Sequence, residues 1–136
     1  MTPLQGKRPS RRFGWVAWLA AFACLLFPAA GCARRTNPPT NPALALDSLR
    51  VALDHWQKGG TPQELSQRQP AIIMGDEEWE AGSRLVRYAI LDGERNDGAN
   101  LHVPVRLVLS DAQGGQLEQV VTYIVGTSPL VTIFRQ

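Results

Sequence analysis

Residues 101–110 read Leu-His-Val-Pro-Val-Arg-Leu-Val-Leu-Ser. Leu101, Val103, Val105, Leu107 and Leu109 alternate with His102, Pro104, Arg106, Val108 and Ser110, and only Val108 blurs the division. A period of two is that of an extended strand, and a clean split means one buried face. Pro104 has no N–H to give a ladder, which predicts an edge strand or a bulge. Residues 84–92 (RLVRYAILD) and 117–125 (LEQVVTYIV) are rich in β-formers with apolar residues on both faces, and read as more central strands. Leu130 to Phe134 makes a fourth. The connections GERNDGAN (93–100), DAQGGQ (111–116) and GTSP (126–129) are short and turn-rich, so the strands pair antiparallel.

Upstream of the strands the period lengthens. Leu46, Leu49, Leu53 and Trp56 recur at three- and four-residue steps, with Ala45 and Ala52 beside them, as on one face of a helix. Asn41 can cap that helix, Pro42 fits its first position, and Gly59-Gly60 stops it. Asp47 with Arg50, and Asp54 with Lys58, are spaced to support its solvent side. Thr61-Pro62-Gln63-Glu64 matches a capping box and begins a short second helix that Pro70 ends. The expected fold is α+β. An N-terminal amphipathic helix and a short second helix pack on a four-stranded antiparallel meander, making one domain over 42–136 with Trp56, Trp79 and Tyr88 in its core. A helix followed by a curled antiparallel sheet resembles the cystatin-like and NTF2-like folds, nearer the shorter cystatin-like form. NTF2-like domains include isomerases and dehydratases that place an Asp or His inside the cone.

The N-terminus has a different character. Lys7, Arg8, Arg11 and Arg12 precede an uncharged, almost wholly apolar run from Phe13 to Ala30, which closes on Ala29-Ala30-Gly31-Cys32. Basic start, apolar core and small residues in that order make a secretory signal. Ala-Ala-Gly-Cys resembles the bacterial lipobox, although Ala29 stands where Leu is usual. That resemblance implies cleavage between Gly31 and Cys32, and acylation of Cys32 as the first residue of the mature chain. An uncleaved membrane helix is the competing reading, since 18 apolar residues just span a bilayer of about 30 Å. Ser10-Arg11-Arg12-Phe13 also suggests twin-arginine export as a minor route. Lipidated or uncleaved, the chain is expected to be tethered to a membrane. The boundaries are a signal at 1–31, a Pro-rich tether at 32–41 and the domain at 42–136. Ala33 after the cysteine resembles the outer-membrane sorting pattern of Gram-negative lipoproteins. Residues 123–135 (YIVGTSPLVTIFR) resemble small bacterial lipoproteins of planctomycete type, which imply no particular activity.

Removal of the signal takes four of the 14 basic residues and none of the 12 acidic ones, so the mature chain has a formal charge of −2. A nucleic-acid partner is not expected on that balance. Of the two cysteines, Cys24 leaves with the signal and Cys32 carries the lipid, which leaves no thiol for catalysis or metal binding.

The remaining constellations are thin. Asp76-Glu77-Glu78-Trp79-Glu80 is the densest acidic run and gives weak metal candidates in Asp76, Glu77, Glu78 and Glu80. A solvated turn with Trp79 dipping into the core is the plainer reading. Asp92 to Val103 fails as a calcium loop, with Asp97 in place of the required Gly and Val103 in place of the Glu. Gly126-Thr127-Ser128-Pro129-Leu130 leads into a strand and lacks the second glycine of a nucleophile elbow. Gly114-Gly115 has no helix after it to cradle a phosphate. His55 and His102 read as solvated or partly packed. No catalytic set and no cofactor are expected. The sequence favours an envelope lipoprotein acting as a small non-enzymatic binding or adaptor module, with an envelope protein partner met by an edge strand or the open sheet face. The alternative is a small-molecule-binding or isomerase-like domain using the concave face of the sheet.

Overall fold

The computed structural model describes residues 38–136. The signal, the Gly31/Cys32 cleavage position, the Cys32 lipidation site and the tether as far as residue 37 lie outside the described residues. Among those described, no helix is long and apolar enough to cross a membrane.

The first helix, α1, runs Pro42–Gln57, and the Asn41 side chain accepts from the Leu44 N–H at 3.2 Å. It buries Ala45, Ser48, Leu49, Ala52, Leu53 and Trp56, the stripe expected from the spacing. Its end closes through N–H bonds from Gly59 to Trp56 and from Gly60 to His55. Gly59 at φ +85° takes the left-handed turn that a side chain would resist. The second helix, α2, is Pro62–Ser66, with the Glu64 carboxylate accepting the Thr61 N–H at 2.9 Å.

The chain then forms β1 (Ile72–Gly75), the one-turn helix α3 (Glu77–Glu80) and β2 (Arg84–Ile90). After these come β3 (Arg95–Asn96), β4 (Leu101–Ser110), β5 (Gln116–Gly126) and β6 (Val131–Arg135). They build a six-stranded sheet in the order β1-β6-β5-β4-β2, with β3 beside β4. The expected four strands are thus joined by two more. One of these, β1, pairs parallel with β6, from Ile72 opposite Val131 to Gly75 opposite Phe134. Its apolar stretch, Ile-Ile-Met, is too short for periodicity to distinguish strand from loop.

Two strands exchange the positions expected of them. Residues 84–90 form an edge, whereas β4 is interior, between β5 and the β2/β3 pair. A strand residue's N–H and C=O point to the same side, and the Pro104 carbonyl accepts from Leu91 at 2.9 Å, just past the end of β2. The missing N–H therefore faces the Leu91 carbonyl, and the reciprocal bond is forgone just beyond the last ladder residue of β2. In β2 the register slips between Leu85 and Arg87, turning Val86 outward, and Gln57 Nε2 donates to the Val86 carbonyl at 2.9 Å. The bulge explains why this strand carries apolar residues on both faces.

One core lies between α1 and the sheet. Leu49, Leu53, Val103, Val105, Leu107, Tyr123, Val125 and Ile133 are wholly inaccessible, and Leu65 of α2 and Trp79 of α3 extend the cluster at one end.

Candidate functional site

The acidic segment folds into two unlike halves. Asp76 turns inward as the cap of α3, where Oδ1 accepts the N–H groups of Glu78 at 2.9 Å and Trp79 at 3.2 Å. Its other oxygen accepts the Tyr123 hydroxyl at 2.6 Å, and Arg135 Nη1 lies 3.5 Å from Oδ1. Asp76 is 1% exposed and Tyr123 0%, so this is a buried cluster joining residues 47 positions apart. Burial first, and the adjacent Asp76 charge second, push the Tyr123 hydroxyl far above its ordinary range. A carboxylate that accepts three hydrogen bonds and faces a guanidinium is a structural anchor. Glu78, in contrast, accepts the Ser83 hydroxyl at 2.9 Å. Asp76, Glu77, Glu78 and Glu80 do not converge, and no group of three His, Cys, Asp or Glu side chains suited to a metal ion occurs among the described residues. The physical reason is local: consecutive residues on one helical turn diverge, and Asp76 is already committed.

Trp79 packs into the core, as expected, and pairs there with Trp56. Their rings stack in parallel, with centroids 5.0 Å apart and planes 5° from each other. Trp56 Nε1 donates to the Ser83 carbonyl at 2.8 Å, and Trp79 Nε1 to the Gly60 carbonyl at 3.0 Å. Each indole therefore holds the turn next to the other's helix, and the two turns are braced through the stack. Between them lies a cleft of about 490 Å³, lined by Gly60, Thr61, Gln63, Glu80, Ser83 and Arg84 among others. Its walls mix backbone and polar side chains over the indole edges.

The two histidines each meet one carboxylate. His55 Nε2 lies 2.8 Å from Glu64 Oε2, and its ring tilts against Trp79 at 6.3 Å. The Thr61 N–H, then His55, hold the Glu64 carboxyl below its ordinary range. His102 Nε2 lies 2.8 Å from Asp97 Oδ2, and that contact foremost holds the Asp97 carboxyl low. Asp97 also accepts the N–H groups of Ala99 at 3.0 Å and Asn100 at 2.7 Å, closing the loop before β4. Both histidines thus fasten loops. The indole brace and the Asp76–Tyr123 bond escaped sequence reasoning because their partners are far apart in the chain, with no spacing to mark them.

No protein-family model, curated protein or solved structure matches this chain.

Proposed function

We propose that the protein is a membrane-tethered lipoprotein of the cell envelope, its domain acting as a small non-enzymatic binding module. The observation that carries this reading is the order of basic segment, apolar run and Ala29-Ala30-Gly31-Cys32, followed by a proline-rich spacer. A diacylglyceryl group with an N-acyl chain on Cys32 would meet the two-chain requirement for stable anchoring. The domain's part in the reading is to offer a preformed surface. The cleft between residues 59–63 and 80–84, fixed by the Trp56–Trp79 brace, supports contact with a polar segment of an envelope partner. The isomerase-like alternative needs an interior cavity with an inward ionisable group, and Leu53, Trp56, Val103, Val105 and Leu107 fill that space. In this reading β2, β4, β5 and β6 are the antiparallel meander of a cystatin-like topology, and β1 and β3 are additions to it.

The test is the intact mass of protein extracted from membranes, wild type beside Cys32→Ala. Loss of residues 1–31 with added acyl mass, abolished in the variant, is the expected result. An unprocessed chain in both would overturn the lipoprotein reading. A photocrosslinker at position 63 should capture a reproducible envelope protein, and its failure at native expression would overturn the role of the cleft.

A further inference from the structure

The sheet face opposite α1 has no helix over it, and its composition is one-sided. Pairing places Arg84 opposite Ser110, Arg87 opposite Val108 and Arg95 opposite His102, all on the side of β4 that also bears Arg106. All four arginines are exposed. Six of the 14 basic residues precede position 42, so this one face holds four of the remaining eight. Of the 12 acidic residues, its strands carry only Glu118, with Asp97 at the rim against His102. That single Glu118 is shared between Arg106 at 3.3 Å and Arg87 at 3.9 Å. The other ten acidic residues lie on the helices, in the loops or in the core, with Glu77 and Glu80 near Phe134 and Ile73 at the far edge, so the domain is negative overall and positive where the arginines gather. Between the arginines and the β1 edge, Ile73, Val120 and Phe134 are 38%, 59% and 48% exposed.

We propose that this face docks flat on the anionic headgroup surface of the membrane that anchors the protein. The inference rests on membrane attachment as read above, but not on whether the anchor is an acyl group or a helix. Exposed arginines beside exposed apolar side chains are what an interfacial surface needs, with charge attracting the headgroups and apolar groups entering between them. The opposite side offers no such attraction, because Asp47, Asp54 and Glu64 on α1 and α2 are matched by Arg50, Lys58 and Arg68, so the arginine face is the one drawn down. A second copy of the chain fits poorly, because face-to-face pairing would set arginines against arginines or bury them unpaired against Val120 and Phe134.

The attachment point agrees. The Thr40 N–H donates to the Gly98 carbonyl at 2.9 Å and the Asn41 N–H to Thr127 Oγ1 at 3.0 Å. The chain therefore enters at the end of the sheet that carries His102 and Arg95. From Cys32 to Thr40 the chain reaches about 30 Å at full extension, close to the length of β4 itself at about 3.4 Å per residue. That reach allows the face to lie down beside its anchor.

The test uses the full chain, purified from membranes and reconstituted into vesicles containing a nitroxide-labelled lipid. A fluorophore is attached through a clickable residue at position 120 on the face, or at position 47 on the exposed side of α1. In phosphatidylglycerol–phosphatidylcholine vesicles at low salt, the probe at 120 should be quenched and the probe at 47 should not. High salt, or phosphatidylcholine alone, should remove the difference. Arg87→Gln with Arg106→Gln should lower the docked-to-undocked ratio by about fivefold or more. Equal quenching at both positions, or quenching at 120 indifferent to salt and lipid charge, would overturn the proposal. So would a probe at 120 shielded from solvent but not quenched, which would reveal a protein partner on the face. The intact mass of the same sample tests the lipoprotein reading separately. Docking with an unprocessed chain would sink that reading and leave this one standing.

Discussion

Tyr88 and Tyr123 each donate a hydroxyl hydrogen bond to a carboxylate, and burial together with that neighbour holds both in the neutral form. Tyr88 donates to Asp54 at 2.7 Å, and desolvation first, then that bond, push its hydroxyl up to about 12. A pKa raised in the folded state means that the stabilisation is complete below the ordinary tyrosine value near 10. It is lost as pH climbs from there through about 12. These are the only two tyrosines in the chain. Absorbance at 295 nm should therefore show no tyrosinate near pH 10 in the native protein, and Asp54→Ala should bring one group down towards the ordinary value. Asp76 carries more weight. Asp76→Ala would leave the buried Tyr123 hydroxyl without its acceptor and the Arg135 guanidinium without its facing charge, and would strip α3 of its cap, at a cost of about 3–5 kcal/mol. Chemical denaturation measures this, and a loss under about 1 kcal/mol would show that the cluster does not hold the fold together. At this scale the sequence revealed the alternation and the caps. It gave no sign that the inward member of the acidic run is the first one.

Among the elements, the junction of α1 and α2 makes the most specific claim. A Cβ at Gly60 would come within 2.1 Å of the His55 ring, which is itself held by Glu64 and Trp79. Gly60→Ala should therefore expel the imidazole and cost about 1–3 kcal/mol. In a His55→Ala background the same change should cost almost nothing further, so a double-mutant cycle should show strong coupling. Additive losses would mean that the backbone, not the ring, resists the new methyl. The helices were readable in advance because a cap, an apolar stripe and a glycine stop each act within a few residues. β1 was not, because four residues contain too little pattern and its partner β6 lies at the other end of the domain. Pro104 pointed to an edge because a proline costs a ladder bond in most interior strands. Here the strand on that side has already ended.

Across the whole molecule, the long β4–β5 ladder should set the limit of stability. Ten residue pairs from Leu101/Val125 to Ser110/Gln116 join these strands, and their inner faces are covered by α1. Amides of Val103, Val105, Tyr123 and Val125 should exchange with solvent only through global unfolding. Those of α2 and of the 111–115 turn should exchange orders of magnitude faster by local opening. Hydrogen exchange read by NMR checks the order, and fast exchange in β4 would mean that the sheet opens independently of the helix. The gathering of basic charge on one face also belongs to this scale. Arg84, Arg87, Arg95 and Arg106 are scattered among acidic residues in the chain, and only the register gathers them on one face.

The sequence by itself determined what depends on near neighbours. That includes the signal-like N-terminus, the helix with its cap and its stop, the α+β class and the four longest strands. Each follows from periodicity, capping or turn chemistry acting over a few residues. The tertiary structure alone decided which strands are central, the parallel pairing of β1 with β6, the braced indoles, the burial of Asp76 and the arginine face. These depend on contacts between residues tens of positions apart, and such contacts leave no local mark because their partners are chosen by the packing of the whole sheet against α1.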